Sequence, residues 1–122
     1  MARSRARADA GMVTAELATA LTALVLVLVL SLSALVAGVD LIRCTDAARV
    51  GARAAARGDD PQQVRALVLE AAPDGASVTV TDRGQAQVEV TVRSRPRGPV
   101  GVLVGSDLSA RAVAVREGAD AP

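Results

Sequence analysis

The sequence contains no His, no Lys, no Phe, Trp or Tyr, and a single Cys, Cys44. Each absence removes a class of chemistry. Without His, one Cys cannot assemble a zinc or iron–sulfur site from the usual soft ligands. No Ser-His-Asp or Cys-His pair can activate a nucleophile. A chain without aromatics offers no stacking platform for single-stranded nucleic acid. With 14 basic residues, all Arg, against 13 acidic ones, the formal charge is +1, and no global field draws the chain to DNA or RNA. The carboxylates form no recognisable pair or Asp-x-Asp metal loop, and the glycines around Gly98 do not lead from a strand into a helix as a phosphate loop would. The expectation is a protein that is not an enzyme, with no cofactor, no metal, no nucleic acid and no small-molecule substrate. A lone Cys also excludes an intrachain disulfide; Cys44 reads as a small residue buried on a helix face, with an intermolecular bridge as the alternative.

What is present is apolar. Of 122 residues 51% are hydrophobic, and they concentrate in Leu17 to Val39, a stretch without a charge. As a helix this stretch is roughly 34 Å long, enough for a bilayer core of roughly 30 Å. A buried core helix is the competing reading, but the remaining chain is too small to surround a helix apolar on every face. The flanking Arg residues, Arg3, Arg5 and Arg7 before the run and Arg43, Arg49, Arg53 and Arg57 after it, do not decide its orientation. A cleaved secretory signal is disfavoured: the run is long, and Ala34, Ala37 and Gly38 do not form an Ala-x-Ala site. Nor does a small apolar lipobox precede Cys44.

The distinctive feature lies at the amino-terminal junction. Residues 1–11 form a polar leader rich in Arg and Ala that ends in Gly11; Met12-Val-Thr-Ala-Glu16-Leu17 follows, leading directly into the run. A carboxylate at a membrane-embedded helix end is costly, and such groups are usually functional or paired. Were the chain cut after Gly11, Glu16 would become the fifth residue and Met12 would carry a new amine. A neighbouring subunit's amine would then offset the desolvation of this carboxylate. A snorkelling interfacial carboxylate beside an ordinary anchor is the plainer reading.

Basic leader, Gly, then Glu at the fifth position of an apolar helix resembles the class III signal of type IV prepilins. Gly11-Met-Val-Thr-Ala-Glu16-Leu-Ala is similar to the TadE-like minor pilins of Tad (Flp-type) pilus systems, in particular the short actinobacterial kind, and the resemblance covers about residues 1–57. It implies that a membrane prepilin peptidase cuts after Gly11, that Met12 starts the mature chain, and that Glu16 is the subunit-pairing glutamate. It further implies that other pilins and Tad pilus assembly components are partners, with the leader cytoplasmic, the carboxyl region outside and the bilayer between. Major Flp pilins tend to carry an aromatic after the glutamate, where Leu17 stands here, and the chain is longer than theirs; both departures favour a minor pilin or pseudopilin.

Beyond the run the chain continues to read as helix, because Asp40 to Arg57 is rich in Ala and free of Pro. One helix over 12–57 is therefore expected, with its transmembrane half at about 17–39. In the second half Arg49, Arg53 and Arg57 make one face, either solvated or facing acidic partner subunits. Ala48, Gly51, Ala52 and Ala55 make a small-residue face suited to close helix packing. Asp60, Pro61 and Gln63 signal a helix start, with Val64, Leu67, Val68 and Ala71 or Ala72 on one face of a helix over about 61–72. The period then changes to two over 77–82 and 87–93, separated by a hairpin loop at 82–85, and a third strand is predicted over 108–116. Arg93, Arg95 and Arg97 read as a solvated loop patch. Residues 58–122 are thus expected to form a small α/β region with a frayed terminus, marginal on its own, which the resemblance places outside the membrane as an extracytoplasmic region. The fold class is α+β and pilin-like: long helix, short helix, three-stranded antiparallel sheet. Two functions fit: a minor pilin or pseudopilin-like subunit, and an uncleaved single-pass membrane-anchored binding module.

Overall fold

The computed structural model describes residues 2–84 and 86–117, with side chains from Met12 onward. The leader side chains and the terminus expected to fray beyond Glu117 therefore lie outside the description. The element order is α1 (Ala2–Ala56), α2 (Pro61–Ala71), β1 (Ser77–Asp82), β2 (Gln87–Ser94), α3 (Pro99–Val104) and β3 (Leu108–Val115). This is an α+β fold with a long first helix, a short second helix and a three-stranded antiparallel sheet in the order β1-β2-β3.

Helix α1 has 55 residues, roughly 83 Å at standard rise. Its helical backbone extends through the leader to Ala2 instead of beginning at Met12. It ends at Ala56 in a Schellman motif: Gly58 takes φ 85°, Gly58 N donates to Ala55 O and Asp59 N donates to Ala54 O. Only Gly tolerates that dihedral cheaply. Asp60 then caps α2, its side chain accepting from Gln62 N at 2.8 Å, with Pro61 in the first turn where no N–H is needed.

The core is built from small residues, as a chain without aromatics requires. Val78, Val88, Val90, Val92 and Ala110 line the inner face of the sheet, which packs on the carboxyl half of α1, while Val64 and Val68 of α2 close the side. Leu67 stands at the rim, 40% exposed, and not on the buried face with Val64 and Val68. Along α1 the buried positions include Ala37, Asp40, Cys44, Ala47, Gly51 and Ala54, a spacing of three and four that keeps one seam toward the head. Gly51 marks the closest approach. A Cβ there would overlap Val68 Cγ2 and press on Val90 Cγ1 at 3.2 Å.

The outer sheet face is polar apart from the exposed Val113 and Val115 of β3, and Glu89 lies buried on it between Arg83 (2.7 Å) and Arg111 (3.3 Å). Glu117 N donates to Ala56 O, and Arg43 donates to Ala72 O, tying the end of β3 and the end of α2 to α1. The connection between β2 and β3, where the sequence reads only a solvated loop patch at Arg93, Arg95 and Arg97, contains α3: Pro99 starts it and Gly105, with φ 61°, ends it.

Candidate functional site

The head covers only the carboxyl half of α1. From Met12 to Val29 the helix projects alone, and beyond that only the β2–β3 connection touches it before Ala37; Leu17, Leu24, Leu26, Leu28, Leu32 and Leu35 are each more than half exposed. Among the described residues α1 is the one helix long and apolar enough to cross a membrane, and none of its most apolar window is covered by the rest of the chain. The polar residues inside the run are adapted to such a setting. Each hydroxyl donates to the carbonyl four residues back: Thr19 to Ala15 (2.7 Å), Thr22 to Ala18 (2.8 Å), Ser31 to Val27 (2.8 Å) and Ser33 to Val29 (2.8 Å). No hydroxyl proton in the run is left to be solvated, which is what a hydrocarbon environment demands.

Two carboxylates bracket the run, roughly 36 Å apart along the axis. Glu16 is exposed at the amino end, and its side chain makes no hydrogen bond or ion pair among the described residues. Met12, 70% exposed, stands one turn before it. At the other end Asp40 is buried, 3% exposed. Arg97 reaches it from the β2–β3 connection at 3.5 Å and also meets Asp74 at 3.7 Å. Asp40 Oδ2 has no hydrogen-bond partner among the described residues. One turn further along, Cys44 is fully buried. Burial pushes its thiol pKa up, the charge of Asp40 adds to this, and Arg43 partly offsets it. A buried thiol held in its neutral form is a poor nucleophile.

The residues singled out in the sequence fall into separate places. Ala48, Gly51, Ala52 and Ala55 are all buried, and they meet α2 and the sheet of the same chain. Gly11, Met12 and Glu16 lie on the amino half of α1, away from the head, Gly11 within the helical backbone. Arg49 pairs loosely with Asp46 on its own helix at 3.9 Å, and Arg57 pairs with Asp59 at 3.1 Å; the Arg face points to solvent. The Asp40–Arg97–Asp74 cluster was not anticipated. Asp40 shares the seam spacing of Ala37 and Cys44, a readable signal, whereas nothing local marks Arg97.

Fold and surface together define a class: one long helix, apolar enough along half its length to cross a membrane, carrying a small α/β head on the other half. No family model matches the chain, and no solved structure matches it. The chain is 41% identical over 103 residues to a protein named Apoptosis inhibitor Rv3655c from Mycobacterium tuberculosis (strain ATCC 25618 / H37Rv). The aligned stretch covers 84% of this chain and 77% of that protein. The chain belongs to the family of that mycobacterial protein.

Proposed function

We propose that this chain is a minor pilin or pseudopilin-like structural subunit of a Tad (Flp-type) pilus system. A prepilin peptidase removes the leader after Gly11, and the mature chain waits in the cytoplasmic membrane with its head outside until it joins other pilins and the assembly machinery. One observation carries this reading. Glu16 follows Gly11 by five residues and stands directly before the apolar run of a helix that is uncovered there, with no partner of its own among the described residues. A carboxylate in that position is stabilised when packing brings a neighbour's amine beside it, so pairing is rewarded only in a correctly staggered bundle. The protein is a substrate and a building block here, and performs no catalysis.

The test is Glu16→Ala in cells that assemble the pilus system. The variant is expected to be inserted and cleaved like the wild type but lost from the sheared surface or pilus-base fraction. Wild-type incorporation of Glu16→Ala would refute the pairing role.

The relative's name favours a second reading. That protein is called an apoptosis inhibitor, and a head acting in that way needs no processing at Gly11. In this reading the chain is an uncleaved single-pass anchor presenting a binding module. Loss of the leader separates the two.

A further inference from the structure

We infer that the β2–β3 connection is a second membrane contact: the tip of α3, Val102, Leu103 and Val104, inserts into the bilayer edge on the head side, beside α1. The inference rests on the reading that α1 crosses the membrane and not on the pilin assignment.

Val102, Leu103 and Val104 are 85%, 73% and 58% exposed, three consecutive apolar residues each more open than Leu67, Leu69, Val113 and Val115 elsewhere on the head. Their level along α1 gives the reason. Gly98, which opens α3, sits against Ser33, so closely that a Cβ on it would lie 3.2 Å from Ser33 Oγ. Leu32, Ser33, Val36, Arg97 and Gly98 line one shared groove. Ser33 is six residues inside the end of the apolar run at Val39, which is roughly 9 Å at helical rise. Interfacial apolar segments bury to depths of roughly 5–10 Å, so the connection reaches the level such segments occupy. The connection also borders Leu32 and Val36 of α1 in that groove, and both face lipid once the helix is inserted. That neighbourhood favours lipid over a soluble partner.

The charges of the connection fit the same placement. No charged residue lies between Gly98 and Gly105. Arg97 directs its guanidinium away from the tip, to Asp40 and Asp74, of which Asp40 lies just past the end of the run. Arg95 pairs with Asp107 on the other limb at 3.6 Å. A guanidinium drawn back toward the aqueous side while its stem lies along apolar surface is the behaviour expected at a membrane interface. The backbone is self-contained as well: Gly101 N donates to Gly98 O at 3.0 Å and Gly105 N donates to Gly101 O at 3.1 Å. Gly101 is required for this fold-back, since a Cβ there would overlap the carbonyl of Pro96.

The experiment uses the full chain in phosphatidylcholine vesicles, with Cys44→Ala as background. An environment-sensitive fluorophore is attached at Leu103→Cys, at Leu28→Cys within the run, or at Gln62→Cys on exposed α2. The Leu103 probe is expected to shift to the blue and to be quenched most by nitroxides carried near the headgroup end of the lipid chains. The Leu28 probe is expected to be quenched by deeper nitroxides, and the Gln62 probe by neither. A Leu103 probe with water-like emission, while Leu28 is quenched, would overturn the inference and leave the membrane reading intact. A blue-shifted but unquenched Leu103 probe would overturn it in favour of a covering protein neighbour, such as a second copy. Lack of quenching at Leu28 would show that α1 itself is not in lipid, and both would fall.

Discussion

Gly51→Ala tests the packing of the head on α1. In an open helix this change is stabilising by about 1 kcal/mol, because Ala loses less backbone entropy than Gly. Here the new methyl has no room. Val68, whose Cγ2 it would overlap, is fully buried and β-branched, so it cannot swing aside, and Val90 stands 3.2 Å away on the sheet. Overpacking of this kind costs roughly 1–3 kcal/mol. The helix gain offsets part, and a net loss of about 1–2 kcal/mol is expected. Removing the obstacle should reverse the sign of the interaction. Val68→Ala alone leaves a hole costing roughly 2–3 kcal/mol, and the methyl of Gly51→Ala then fills part of it, so the double variant should be more stable than the sum of the singles by about 1 kcal/mol or more. Gly38→Ala, with nothing within 4 Å of the new methyl, is the control and should not destabilise. The chain has no aromatic fluorophore, but Cys44 is fully buried and alone, so denaturant-dependent thiol labelling in detergent reports opening of the head directly. A Gly51→Ala protein as stable as wild type, or additive behaviour in the double variant, would refute the close approach of α1, α2 and β2.

The Asp40–Arg97 pair gives an asymmetric prediction. Arg97→Ala strands a buried carboxylate and should cost roughly 2–3 kcal/mol, whereas adding Asp40→Asn should recover much of the loss, both read by the same labelling assay. Cys44 predicts a pH dependence. Its native thiol pKa is raised, so the folded chain holds the proton more tightly than the unfolded chain does. This group leaves stability unchanged below the ordinary thiol range and lowers it as pH rises through that range toward the native value. Comparing denaturation midpoints of wild type and Cys44→Ala at neutral and alkaline pH checks this, and an equal pH response would contradict it.

The legible parts of the sequence were those with a local cause. Asp60-Pro61 and Gly58 announce the boundary between the two helices, and α2 runs over Pro61–Ala71 where a helix over 61–72 was expected. Alternating Val residues mark β1 and β2 within a residue of their ends. The missed helix α3 carried readable signals, Pro99 at its first position and Gly105 after its last, but six residues between breakers look like loop when periodicity is the criterion. On α1 the sequence marks Cys44 as a buried helix-face residue and Ala48 to Ala55 as a small-residue face, and both are buried; Ala37 and Asp40 extend the same seam, where the charge of Asp40 hides it. Asp40 is tolerated there through Arg97, a contact made across 57 residues that no local pattern encodes. The head's small size and Val-Ala core explain why so much of it leans on α1.

The proposed pilin role requires cleavage between Gly11 and Met12. Its most direct test is the amino-terminal residue of the protein recovered from membranes of cells with and without their prepilin peptidase. Met12 is expected as the first residue when the peptidase is present, and an intact leader when it is absent. An intact leader in both strains would contradict it and leave a membrane anchor bearing a binding module.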